Sequence, residues 1–140
     1  TEVGEGGMNA AFAGSVGVPV IMASGDKTFA AQFAALTGAH TFATKEAIGS
    51  QVAHLMHPDI VLEGLRRTTR EALDDLDNAQ PMDMGGVVTV RMRFASTTRA
   101  DIVQAVPGMS RIDGFTVEYA AASMDQAYRL IRLMYKYISW

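Results

Sequence analysis

The 140-residue chain contains no cysteine. Disulfides, thiolate zinc sites and cysteine nucleophiles are therefore excluded. Long apolar runs are missing too: none reaches the roughly 18 residues of a membrane span, and no charged segment leads into an apolar one as in a secretory signal. A basic surplus is also absent. Lys and Arg total 12 against 15 Asp and Glu, a formal net charge of -3, so the excess that neutralises nucleic-acid phosphates is lacking. Arg66, Arg67 and Arg70 stand among Glu63, Glu71, Asp74 and Asp75, which is the pattern of a solvated helix face of mixed charge. Neither a membrane nor a nucleic acid is an expected partner. There is no internal repeat, no His-Glu-x-x-His, no Gly-x-Ser-x-Gly elbow and no Walker-type glycine loop.

What is present is an apolar, weakly charged chain, 49% hydrophobic and 19% charged, able to bury one substantial core or two small ones. A glycine-rich entry leads into a short helix from Met8. The continuously apolar run 18–23 then reads as a strand covered on both faces and ending at Ser24-Gly25-Asp26. Asp26 is placed to cap a helix through Leu36, with Phe29, Ala30, Phe33 and Leu36 on one face. A second short strand over 40–44 would deliver Lys45 and Glu46 to a loop. Residues 17–45 are thus expected to form a βαβ unit. A short helical stretch through Met56 follows, broken at His57-Pro58, and Pro58 opens a long amphipathic helix whose stripe is Val61, Leu65, Thr69, Ala72 and Leu76.

The stretch 78–86, with proline, two glycines and no periodicity, is the candidate linker. Beyond it Val88, Val90, Met92 and Phe94 alternate with polar residues as in a half-buried strand. A helix over 98–106 follows, then a hairpin turning at Asp113-Gly114. A last helix is opened by the capping-box pair Ser123 and Gln126, with Ala127, Leu130, Ile131, Met134 and Ile138 as its buried stripe. The expected fold is α/β: a βαβ-containing three-layer segment over 1–77, the linker, and a small α+β lobe over 87–140.

Few residues offer chemistry. His54 and His57 are three apart, a spacing that can bring two imidazoles together on a helix, but Pro58 makes the pair straddle a helix break; His40 stands alone and reads as structural or surface. Glu5, inside Gly4-Glu5-Gly6-Gly7, would repel a phosphate but suit a cation. Metal ligand and helix-start charge both remain open for it, and spacing alone favours the second. Asp26 serves equally as helix cap or contact residue. Lys45 and Glu46 are either catalytic, near a strand's carboxyl end, or an exposed ion pair. Thr1 could act as an N-terminal nucleophile with the α-amine as its base, although its glycine-rich, acidic surroundings do not suit a buried nucleophile strand. Methionine removal, processing or a fragment would each explain a start at Thr1.

Several collinear blocks carry a resemblance across essentially the whole chain. Gly4-Glu5-Gly6-Gly7-Met8-Asn9-Ala10 resembles a Gly-Glu-x-Gly-x-Asn-Ala motif. It is followed by Gly17-Val18-Pro19-Val20, Ser24-Gly25-Asp26, Lys45-Glu46-Ala47-Ile48-Gly49, His57-Pro58, Pro107-Gly108 and Asp113-Gly114. In this order they resemble the carboxy-terminal half of the zinc-dependent D-aminopeptidases of the DppA type.

The resemblance implies a cytoplasmic metallo-aminopeptidase, assembled as a homo-oligomeric ring, that hydrolyses the amino-terminal amide bond of short D-amino-acid peptides with two zinc ions per site. Metal ions of this kind acidify a bound water and polarise the scissile carbonyl. The resemblance carries one ligand position onto this chain, Glu5, and raises that reading above the helix-start charge. Asn9, one turn on, is implied as a group orienting it; Ser24, Asp26 and Lys45 are weaker candidates for substrate or supporting contacts. The family's other acidic ligands, its histidine ligands and its catalytic histidine lie upstream of the Gly-Glu motif, so a missing amino-terminal half or a companion chain would have to supply them. His40, His54 and His57 do not match ligand positions. The alternatives are a non-catalytic α/β assembly or binding module, and an amidase built on Thr1.

Overall fold

The structure, a computed structural model, describes residues 2–138. The chain folds as two compact units, one running to Met82 and the other starting at Asp83. The first contains α1 (Glu5–Ser15), β1 (Met22–Asp26), α2 (Lys27–Thr37), β2 (His40–Gly49), β3 (Val52–Leu55) and α3 (Pro58–Asp74), closed by a 3-10 turn at Leu76–Asn78. Strands β1 and β2 are parallel and joined by α2, the expected βαβ unit, while β3 pairs antiparallel to β2.

Local chemistry sets the bounds of α2. The Asp26 carboxylate accepts the N–H groups of Thr28 and Phe29 at 2.9 and 3.0 Å. At the other end Gly38 takes a left-handed conformation, φ 73°, which a residue with a Cβ adopts at a cost.

Side-chain alternation makes the unit three-layered. Gly25 faces the Phe29 ring of α2, whereas Phe42, in register with the neighbouring Ser24, faces Gly64 of α3. Adjacent strand residues point to opposite faces, so α2 and α3 cover opposite sides of the sheet. Helix α1 packs on α2.

Three expectations in this unit are corrected. The first strand is Met22–Asp26 rather than 18–23, because pairing decides its bounds: β2 begins opposite Met22, and the His40 N–H reaches back to the Ile21 carbonyl at 3.1 Å. Upstream, Pro19 has no N–H to contribute. Secondly, β2 does not stop at Thr44, and the stretch before His57 is a strand rather than a helix. Residues 45–49 and 52–55 satisfy each other's backbones as a ribbon, with Lys45 opposite Leu55 and Glu46 opposite His54; Lys45 and Glu46 are therefore strand residues, not loop residues.

Thirdly, the buried seam of α3 runs through Gly64, Thr68 and Ala72, leaving Thr69 and Leu76 exposed. Glycine is needed at position 64 because the Phe42 ring occupies the space where a Cβ would stand. Pro58 does open α3, and the His57 imidazole accepts the Asp59 N–H at its N-terminus.

The second unit contains β4 (Val88–Arg93), α4 (Thr97–Gln104), β5 (Met109–Arg111), β6 (Thr116–Ala121) and α5 (Met124–Tyr137), with an antiparallel sheet in the order β4-β6-β5. The alternation expected in β4 is present, with Val88 and Val90 buried and Thr89 and Arg91 exposed. Helix α4 begins one residue earlier than expected because Ser96 caps it, and it ends at Gln104 rather than 106.

The β5–β6 turn is held by the Asp113 carboxylate, which accepts the Phe115 N–H at 2.7 Å, and by Arg111, which bridges the Gly114 carbonyl and Asp101. Ser123 caps α5, while the Gln126 side chain accepts the N–H of Ala122, one residue before the usual capping-box partner. Ala100, Val103, Val117 and Met134 form this unit's core, with Met92, Phe94 and Leu130 packed against it.

Candidate functional site

The glycine-rich start of α1 brings the chain unusually close to α2. A Cβ on Gly6 would meet the Phe29 ring at 2.5 Å, and one on Gly7 would meet Leu36 at 2.6 Å. Glycine at both positions lets the first turn of α1 settle against α2, with exposed Glu5 at its beginning. Gly4, at the N-cap, has no side chain to satisfy the first N–H groups of the helix. A carboxylate in that first turn is favoured by their partial positive charge.

Between the start of α1 and α2 lies an open groove of about 740 Å³. Glu2, Glu5 and Asn9 line it from the α1 side, and Phe29, Phe33 and Leu36 from α2. Glu5 and Asn9 thus share one cavity, one helical turn apart. Ser24, Asp26 and Lys45 do not line it. Ser24 is exposed on β1, the Asp26 carboxylate is engaged as the α2 cap, and Lys45 neighbours Asp26 across the β1–β2 pair. The ion pair considered for Lys45 and Glu46 is instead formed between Glu46 and Lys27, at 3.4 Å. Thr1 lies outside the described residues.

The three histidines occupy separate places. His54 sits on exposed β3, His57 caps α3, and His40 contacts Asp75 at 3.1 Å beside a smaller hollow of about 260 Å³. There the Asn78 amide, donating at 2.6 Å, and then His40 hold the Asp75 carboxyl below its ordinary value of 3.8. No three His, Asp or Glu side chains converge among the described residues. A zinc centre uses four ligands, of which the protein supplies at least three. The side chains of this chain therefore do not fit a zinc site by themselves, and Glu5 can provide one ligand of such a set.

Sequence reasoning assigned Phe29, Phe33 and Leu36 to a core stripe and gave Glu2 no role, so the groove was missed. Its available signal was the doubled glycine after Glu5, which marks a close helix approach. The His40–Asp75 contact spans 35 positions and had no local signal.

Residues 1–133 match the profile of a family described as D-aminopeptidase. A D-aminopeptidase of Bacillus subtilis (strain 168) is 30% identical over 134 residues, covering 94% of this chain and 49% of its own length. Among solved structures, one described as the Zn-dependent D-aminopeptidase DppA from Bacillus subtilis, a self-compartmentalizing protease, superposes with a TM-score of 0.90 at 29% identity. That superposition covers 96% of this chain and 50% of the other. The chain spans about half the length of the relatives it matches.

Proposed function

The chain belongs to the D-aminopeptidase family, and from that premise we propose that it is one part of a zinc-dependent aminopeptidase removing amino-terminal D-residues from short peptides. The observation that carries the reading is Glu5, an exposed carboxylate at an uncapped helix start on the wall of a groove of substrate size. In this reading Glu5 is one ligand of a site holding two zinc ions, Asn9 supports it from the next turn, and the remaining ligands come from the half of the relatives' length that this chain does not span, whether in the same polypeptide or a companion. Ser24, Asp26 and Lys45, outside the groove, take supporting rather than ligand roles.

We also propose a homo-oligomeric assembly in the cytoplasm. Support for assembly comes from the ribbon of β2 and β3, which continues past the end of β1 with Ile48, Val52 and Leu55 60–70% exposed. Apolar ribbons of this kind are commonly covered in the working form of a protein. The relative DppA is described as self-compartmentalizing, which agrees with such an assembly.

The deciding experiment measures zinc content and hydrolysis of a D-alanyl amide by the native particle, with and without Glu5→Gln. The expected outcome is bound zinc in the parent and, in the variant, zinc affinity and turnover lowered by more than the roughly 10–100-fold that loss of an outer-shell partner causes. A metal-free, inactive native particle would instead favour a non-catalytic binding module, and an active one indifferent to Glu5 would remove the ligand role.

A further inference from the structure

Resting on the homo-oligomeric reading, we propose that the open edge of β4 is an interface with a second copy of this chain, the two β4 strands pairing antiparallel about a twofold axis centred on Val90. This contact belongs to the second unit and is separate from the β2–β3 ribbon. In the sheet order β4-β6-β5, the outer side of β4 pairs with no strand among the described residues. Elements β4, α4, β5, β6 and α5 are five of the six in a split βαβ arrangement. The strand that completes such an arrangement runs antiparallel beside the first, which is the place and direction a second β4 would take.

The backbone fixes which groups the edge offers. The Phe94 N–H donates to the Phe115 carbonyl at 2.8 Å, and from there the pairing runs without a bulge to Val88 opposite Ala121. Hydrogen bonding alternates along an antiparallel strand. Val88, Val90 and Met92 therefore bond to β6, while Thr89, Arg91 and Arg93 turn their N–H and C=O groups to the open edge. Edge strands are commonly guarded by charge or proline. Here β4 contains no proline, and its arginines already have acidic partners, Arg91 with Glu118 at 2.7 Å and Arg93 with Asp113 at 3.7 Å.

Register and charge select the same occupant. With Val90 opposite Val90, Val88 stands opposite Met92 and Thr89 opposite Arg91. Apolar side chains then meet on the inner face, where Val88 and Val90 are buried, and no like charges oppose each other on the outer one. A shift of the register one way sets Arg91 against Arg91, a destabilising pair. A shift the other way shortens the paired stretch. The strand is thus complementary to itself, as a twofold interface requires.

The test uses the native particle and the absence of cysteine from the chain. Val90→Cys should give a covalent dimer on oxidation with diamide, because opposed residues of a non-hydrogen-bonded pair have Cα atoms about 4.5 Å apart, within disulfide reach. In Arg91→Cys the two thiols would stand diagonally, about 7–8 Å apart, and at least about tenfold less dimer is expected. Thr89→Pro removes an outward N–H at an edge position where proline is tolerated. It should halve the particle mass in light scattering with the thermal midpoint retained; if it unfolds the protein, the cross-linking pair decides alone. A parent of single-chain mass would overturn the homo-oligomeric reading together with this one. An oligomer in which Val90→Cys gives no covalent dimer and Thr89→Pro leaves the mass unchanged would overturn this interface alone. Equal cross-linking by Arg91→Cys would overturn the twofold at Val90.

Discussion

Asp26 ends β1 and opens α2, and its carboxylate satisfies two N–H groups there. Asn caps as well as Asp, whereas Ala does not. Asp26→Ala is therefore expected to lower stability by about 1–2 kcal/mol in denaturant titration, and Asp26→Asn to leave it nearly unchanged. Activity lost in a stable Asp26→Asn protein would identify a further role in substrate contact. Asp75 makes a different residue-scale prediction. Its carboxyl is held below 3.8 in the fold by Asn78 and His40, so it contributes stability above that ordinary value and loses it as pH falls through the lowered one. Asp75→Asn should flatten the acid limb of a plot of thermal midpoint against pH below 3.8, and an unchanged slope would show that the contact carries no linkage. The Asp26 cap was legible because cap and helix are contiguous; the His40–Asp75 contact was not, because these two residues, 35 positions apart, meet only after α3 folds back on the sheet.

Whole elements were legible where the pattern was long or a punctuating residue was strong. Pro58 and Ser123 both open the helices expected of them, and the period-two run of β4 is a strand. Residues 50–56 failed as a helix because a short apolar run has no decisive period, and a neighbouring strand was available to satisfy its backbone. The α3 stripe was misplaced by reading bulk as burial, when the position closest to the sheet is Gly64. At that position two effects compete. Gly64→Ala gains about 1 kcal/mol of helix propensity but drives a Cβ into the Phe42 ring, and overpacking costs about 1–3 kcal/mol. Net destabilisation is expected by thermal or denaturant unfolding, with recovery when Phe42→Leu is added. A stabilised single variant would mean that the ring moves aside freely.

For the whole molecule, incomplete metal chemistry and exposed apolar ribbon lead to one prediction: the native particle has a mass well above that of one chain, measured by light scattering. Ile48→Lys with Val52→Lys should lower that mass while leaving the secondary structure intact, and an unchanged mass would exclude the ribbon from the assembly contact. The sequence by itself determined the α/β class, the βαβ unit, the Asp26 and Ser123 caps and the position of Glu5 at a helix entrance, since each follows from contiguous residues and backbone chemistry. Only tertiary structure decided the extent of β2, the strand at 52–55, the seam through Gly64 and the groove that Glu5 shares with Phe29, Phe33 and Leu36. These depend on which distant segments approach closely enough to satisfy a backbone or fill a space, and that distance is not written in local spacing.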